Sequence, residues 1–400
     1  MLLPSYDVSS RRQQNLRAIL KLIHDHRRIT RKTLEHHLGS SSSSVAKYVQ
    51  ELRSMGFVRD AGSDRAERGR NPVLLELSPD AGVSVAVVIT RAGIKGALVT
   101  FSGDIVERCT FEFGDSPDRE VVLATMYGCI DCLLARDGGT QRILGIGIAL
   151  AGFLDPERGI SHELLFARRW DNVPLKSRVE ERYGTNAFLL NTANASALAE
   201  KYYGLGADAQ NLLVVILDEG VGMGIIADGE LYTGGNRYAG EFGHTRLAGN
   251  TAQCYCGHVG CLETVASKTY VLEKCREALE NNVKSLVLRY CNNDPNTMTI
   301  EHVIRAANEG DRLARNIFND VGRTVGTKLA DAVNVLDPEL VILRGTTVDG
   351  NETLYRAIER EVLDAALLPA GKKLGVRYSL ERTDSRFLGV HTHILNTYLA

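Results

Sequence analysis

The sequence predicts a mixed α/β protein, with an N-terminal winged helix-turn-helix over residues 1–77 and a two-lobed α/β body over 83–400. Three observations carry this reading. Charge is divided unevenly along the chain. The hydrophobic pattern changes from helical spacing to strand-like runs near residue 83. Cys254, Cys256 and Cys261 crowd into one short loop, which points to a metal.

Composition bounds the alternatives. At 400 residues the chain has room for two or three domains of roughly 150 residues each. Hydrophobic residues make up 44% and charged residues 24%, which excludes a disordered or low-complexity protein. No run approaches the ~18 consecutive apolar residues of a membrane span, so no membrane partner is expected. Met1 to Arg12 carries neither the apolar core nor the cleavage site of an export signal, so a cytoplasmic protein is expected. In that compartment crowded thiols suggest metal before disulfide.

Residues 1–77 hold 14 Lys+Arg and 8 Asp+Glu, whereas the remainder holds 33 and 41. A basic head on an acidic body suits a nucleic-acid reader. Leu16, Ile19, Leu20 and Ile23 lie on one helical face. Thr30 can cap a second helix carrying Leu34 and Leu38, and Gly39 supplies a turn. Ser40–Ser44 opens a third helix with Val45, Val49 and Leu52 as its buried stripe, unless that serine run is only a linker. Phe57-Val58 and Val73, Leu75 and Leu77 read as a two-stranded ribbon. In such a fold the third helix enters the major groove by its N-terminal turn. Ser41, Ser42, Ser43 and Ser44 would face DNA there, with Lys47 on backbone phosphate. Arg65, Arg68 and Arg70 would do the same from the wing, unless they are only a solvated loop.

In the body, residues 83–89, 94–100 and 105–113 read as strands. A helix follows over 121–135 and a buried strand over 143–150. Then come a helix at 174–183, a strand at 187–190 and a helix at 193–203. Strands at 212–217 and 224–227 flank the glycine run 220–224. A long helix over 311–336 carries Leu313, Ile317, Val321, Val325 and Leu329 on one face, and 340–343 is a strand. Strand-strand-strand-helix-strand-helix, recurring once, predicts two lobes with a cleft, divided near residue 190 into 83–190 and 191–400. Trp170, the single tryptophan, lies in a polar loop, where it could cover the cleft or anchor a contact. Cys129 and Cys132 sit in an apolar helical pattern and read as core.

The most specific signal is His244 followed by Cys254, Cys256 and Cys261. Three thiols and an imidazole are the ligand set of a closed, tetrahedral, structural zinc site. His258 competes for the fourth position. Four protein ligands leave no open position for catalysis.

The run Gly240-Glu241-Phe242-Gly243-His244, followed by C-x-C-G-x-x-G-C-x-E, resembles the signature of the ROK family. That family holds sugar kinases and sugar-responsive repressors that add a winged helix. The resemblance covers nearly the whole chain. It implies an actin-like, ribonuclease H-like ATPase fold with a zinc loop beside a sugar site. Asn191, Glu241, His244 and Glu263 match its sugar-binding positions, with His244 giving one ring nitrogen to zinc and the other to sugar. The plainer alternatives are bracing of the zinc loop by Glu241 and Glu263, and helix capping by Asn191.

The kinase side departs from the pattern. The first phosphate loop reads Ile89-Thr90-Arg91-Ala92-Gly93-Ile94, without an acidic residue. The catalytic aspartate position is Thr192, whose hydroxyl is no base near neutral pH. The second phosphate loop reads Asp218-Glu219-Gly220, and the adenosine-side glycines are reduced to Arg344-Gly345-Thr346-Thr347. The resemblance therefore implies a non-enzymatic regulator, a repressor. It would bind operator DNA, a sugar or sugar phosphate, and structural zinc, as a homodimer or homotetramer. A residual ATP-dependent sugar kinase, or a repressor governed by a protein partner with a vestigial sugar cleft, are the competing readings.

Overall fold

Apolar residues at helical spacing close the first three helices on one another. In this computed structural model α1 (Arg11–His26) buries Leu16, Ile19, Leu20 and Ile23. The described residues are 11–63, 72–114, 116–139, 141–368, 373–380 and 383–399. A short strand β1 (Ile29–Thr30) leads into α2 (Arg31–Leu38), where the Thr30 hydroxyl accepts from the Thr33 amide at 3.2 Å. Gly39, at φ 55°, ends that helix. Ser41 caps α3 (Ser42–Ser54), and β2 (Val58–Ser63) and β3 (Val73–Leu77) complete the head. The sheet has three strands in the order β1-β3-β2, not the expected two. Ile29 and Thr30 pair with Leu75 and Leu74, and two residues are too few to leave a period-2 signal.

A meander follows: β4 (Val83–Thr90), β5 (Gly93–Thr100) and β6 (Ile105–Glu112). Then α4 (Arg119–Asp137) crosses to β7 (Ile143–Leu150), parallel to β4. A small hairpin, β8 (Leu154–Asp155) and β9 (Ile160–Ser161), precedes α5 (Leu175–Tyr183) and β10 (Ala187–Asn191), which is parallel to β7. The sheet order is β10-β7-β4-β5-β6. Seven of the eight residues of β7 are buried, as a parallel strand covered on both faces requires.

The pattern then repeats. After α6 (Thr192–Tyr203) come β11 (Leu212–Leu217), β12 (Val221–Ala227) and β13 (Glu230–Leu231), again an antiparallel meander. Helices α7 (Lys268–Glu280), α8 (Val287–Tyr290), α9 (Ile300–Asn308) and α10 (Arg312–Leu336) follow. Then β14 (Leu340–Arg344) joins β11 in parallel. After α11 (Glu352–Ala365), β15 (Gly375–Tyr378) pairs parallel with β14. This order, β13-β12-β11-β14-β15, matches the first sheet strand for strand. It is the duplicated topology of the actin-like, ribonuclease H-like fold.

The chain divides into two compact units, residues 1–195 with 386–400, and 196–385. The division expected at 190/191 therefore misses one feature: α12 (Thr383–Leu399) returns to the first unit. The physical reason lies in β7 and α6. A Cβ on Gly147 would stand 2.3 Å from a Val390 methyl, and one on Gly389 would stand 1.8 Å from the Ala195 carbonyl oxygen. Both glycines exist to let α12 lie close, a long-range fit that no local pattern announces. Trp170, a candidate cover for a cleft, is instead 6% exposed, its indole N–H donating to the Ser161 hydroxyl at 3.0 Å.

Three imidazoles in the first unit are held below the ordinary range by burial, that of His393 on α12 at about 4 and two more strongly. His24 of α1 is held at about 3 by burial, then by Arg27 and Lys21. His391 of α12, bonded through Nδ1 to Ser84 at 2.9 Å, is held at about 3 by burial and by His24. Both lie below the ordinary 6.5, so the unfolded chain binds protons that the folded one excludes. Their stabilising effect is full above that value and is lost progressively as pH falls towards 3. Each should cost about 2 kcal/mol at about pH 5. Urea midpoints should therefore drop steeply between about pH 7 and pH 5, and less so for His391→Asn. A flat profile would contradict this assignment.

Candidate functional site

The four candidate metal-ligand residues all belong to the second unit. Gly240 and Gly243 dock their loop against β12: a Cβ on either would stand about 2 Å from a carbonyl oxygen, of Met223 and Val221 respectively (2.1 and 2.2 Å). That close approach places the short turn Phe242–His244 beside the cysteine loop. The loop folds back on itself, with Arg246 bridged to Cys261 and Gln253 to Val259. Asn250 braces it, donating to the Cys261 carbonyl at 3.1 Å and to the Thr264 hydroxyl at 2.9 Å.

His244, Cys254, Cys256 and Cys261 converge, with one ligand atom of each within 4.8 Å of all the others. The Cys256 and Cys261 sulfurs are 3.6 Å apart, and the Cys254 sulfur is 3.7 Å from His244 Nδ1. Bonds of about 2.0–2.3 Å to one tetrahedral cation need edges of this size. Burial pushes the Cys254 thiol up and the Cys261 thiol up to about 12, while burial and His258 keep His244 below its ordinary value. A neutral imidazole and thiols that a cation would deprotonate are the chemistry of a metal centre. The residues fit such an ion and could hold it. His258 instead points Nδ1 at Cys256 at 3.5 Å, outside the cluster.

The other face of His244 is polar. Its Nε2 lies 3.1 Å from the Tyr255 hydroxyl and 3.8 Å from a Glu241 carboxylate oxygen. Glu263 accepts the Val221 amide at 2.7 Å and a hydrogen bond from Tyr255. Burial, and then Glu263, raises the Glu241 carboxyl to about 7. Near neutral pH it can both donate and accept, which suits a ligand made of hydroxyls. Tyr255 was missed in the sequence because it sits between two cysteines that draw all the attention. Its only signal was being a bulky polar aromatic in a loop of small residues. Asn191 lies in the first unit at the end of β10, where its side-chain oxygen accepts the Ala193 amide at 2.8 Å and its amide reaches the Gly152 carbonyl at 3.5 Å. Capping of α6, the plainer role considered for it, is therefore present.

The acidic pair at the second phosphate loop is already engaged. Lys268 reaches Glu219 at 2.5 Å and Asp218 at 3.6 Å, and Thr346 donates to Asp218 at 2.7 Å. Lys268, absent from the sequence reading, softens the repulsion expected there. It replaces that repulsion with a network that a phosphate would have to break. Arg344, where the adenosine-side glycines are reduced, is fully buried and paired with Glu200 at 2.8 Å.

In the first unit, Ser41, Ser42 and Ser43 are exposed and Ser44 half-buried. The Ser41 hydroxyl accepts the Ser44 amide at 3.3 Å. Lys47 is exposed on α3 one turn beyond Ser43, and Gln50, which the sequence reading passed over, continues that stripe. Arg65, Arg68 and Arg70 lie outside the described residues. No described helix is long and apolar enough to cross a membrane.

Comparison with known proteins agrees with this architecture. A winged helix-turn-helix DNA-binding pattern matches residues 12–59. The xylose repressor of Caldicellulosiruptor bescii is 31% identical over 337 residues, 83% of each chain. The DNA-binding transcriptional repressor Mlc of Escherichia coli is 28% identical over 89% of this chain and 86% of its own. A crystal structure of a ROK family transcriptional regulator, described as a homologue of that Mlc protein, superposes with a TM-score of 0.81. Its identity is 24%, covering 97% of this chain and 96% of the other. The ROK pattern itself matches residues 84–389, more than half of the sequence, and the chain belongs to the ROK family.

Proposed function

We propose that this chain is a sugar-responsive transcriptional regulator, acting as a repressor, that has lost kinase activity. The head binds operator DNA through Ser41–Ser44 and Lys47 of α3 together with Arg65, Arg68 and Arg70. The body binds a sugar or sugar phosphate through Asn191, Glu241, His244 and Glu263. Structural zinc sits on His244, Cys254, Cys256 and Cys261. The protein works as a homodimer or homotetramer, because a helix-turn-helix reads two half-sites.

One observation carries the reading. The same imidazole that turns Nδ1 to the Cys254 thiol of the cysteine cluster turns Nε2 towards Tyr255 and Glu241, so a metal loop holds a polar, hydroxyl-matching set in place. The names of the relatives support the regulatory half. Thr192, and the Lys268 network over Asp218 and Glu219, support the loss of phosphoryl transfer.

A thermal-shift screen of zinc-loaded protein against neutral sugars and sugar phosphates tests this, with a parallel ADP-release assay in ATP and magnesium. One sugar class should stabilise, by about 2.7 kcal/mol at a hundredfold excess over its dissociation constant. The Glu241→Ala variant should show no shift, and no ADP should appear. Turnover of ATP, or silence across the whole panel, would sink the proposal.

A further inference from the structure

Outside the site described above, the first unit holds a second concentration of thiols. Cys109 is the single buried residue of β6, the edge strand of its sheet. Cys129 is wholly buried on the inner face of α4. Their sulfurs lie 3.0 Å apart, inside ordinary non-bonded contact and about 1 Å beyond a covalent bond. Gly96 of β5, opposite Cys109 in the sheet register, makes the approach possible. A Cβ there would stand 2.5 Å from the Cys129 sulfur and 3.1 Å from that of Cys109. Arg136 ties the same strand and helix together, donating to the Arg108 carbonyl at 2.6 Å and to Glu107 at 3.3 Å.

We propose that Cys109 and Cys129 form a reversible disulfide site, oxidised by a small hydroperoxide, that staples the edge strand β6 to α4. Two free thiols in contact could instead be inert filling. Two features separate this pair from that case. The thiols differ in surroundings: the Arg136 guanidinium bonds the Arg108 carbonyl beside Cys109, whereas Cys129 lies wholly inside the packed face of α4. They also differ in access, since Cys109 keeps 9% of its surface exposed and Cys129 none. One is therefore suited to meet the oxidant and the other to resolve.

The chemistry balances. The Cys109 thiolate attacks the outer peroxide oxygen. The O–O bond breaks, an alcohol or water leaves, and Cys109 becomes a sulfenic acid. The Cys129 sulfur then attacks that sulfur, the S–O bond breaks, and the hydroxide leaves as water with the Cys129 proton. The two electrons lost by the thiol pair reduce the O–O bond.

Full-length, zinc-loaded protein treated with hydrogen peroxide, unfolded in alkylating agent and digested with trypsin tests this. Peptide 109–119 should be joined to peptide 120–136 with loss of two hydrogens, and dithiothreitol should release it. The link should survive in Cys132→Ser, whose thiol lies one turn further along α4, and vanish in Cys129→Ser. Alkylation of both thiols in the wild type under peroxide that oxidises the zinc-loop cysteines would overturn the proposal without any variant. A link persisting in Cys129→Ser would overturn the pairing.

Discussion

Arg344→Met should cost about 3–5 kcal/mol of stability, the largest loss expected from any single charge in the second unit. Arg344 and Glu200 are buried with side chains 1% and 3% exposed, and are joined at 2.8 Å. The guanidinium also donates to Ser385 at 2.6 Å, and Glu200 accepts the Leu205 amide at 2.9 Å. Removing the cation strands a carboxylate in a medium that cannot solvate it. The pair itself contributes little net stability, because desolvation of both ions offsets their attraction. The double variant Glu200→Met with Arg344→Met should therefore recover most of what the single change loses. Urea unfolding of the three proteins reads this directly. A single variant within about 1 kcal/mol of wild type would contradict the assignment.

The second large effect concerns the cysteine loop. Cys261→Ser should abolish stoichiometric zinc binding, and a strong chelator should do the same to the wild type. A structural site of this type holds its ion with roughly 10–16 kcal/mol in small peptides. Few other contacts could keep the loop from Gln253 to Cys261 folded. Its backbone bonds run to itself and to its immediate neighbours in sequence: Cys254 donates to the His258 carbonyl, Gly260 to the Ala252 carbonyl and Leu247 to the Gly260 carbonyl. His244 loses its anchor in the same step, so sugar-induced thermal shifts should vanish. The head belongs to the other unit, and DNA binding without sugar should persist. Metal analysis, thermal shift and DNA binding on one preparation separate these outcomes. Retained sugar response in a metal-free protein would refute the coupling.

Much of the local structure was legible in the sequence, although α7, α9 and α11, each a helix with a buried apolar face, were not read from it. Helices α1 to α3 were legible because Leu16, Ile19, Leu20, Ile23, Val45, Val49 and Leu52 repeat at helical spacing. The cluster of His244 with three cysteines, which could hold a metal ion, was legible because its members lie within eighteen residues of one another. Much else that escaped was long-range. The placement of α12 in the first unit depends on Gly147 and Gly389 meeting side chains and backbone far away in sequence. Strand β15 carries only Gly375–Tyr378, too short to show alternation. Tyr255 and Lys268 escaped because a lone tyrosine or lysine has no spacing to betray it, and only the folded loop shows what each one faces. The sequence already favoured His244 over His258 as the fourth ligand, and His244 is the imidazole that joins the cluster.

Occupancy of the proposed sugar site should change the affinity of the head for DNA. Fluorescence anisotropy with a duplex selected by the protein from a random pool measures it, with zinc-loaded protein and the sugar found by thermal shift. The account predicts an affinity change on the order of tenfold, a coupling of about 1.4 kcal/mol, absent in Glu241→Ala. Lys47→Ala should weaken binding to all duplexes and flatten the salt dependence while leaving the sugar response intact. A sugar that binds and stabilises the protein yet leaves operator affinity unchanged would contradict it.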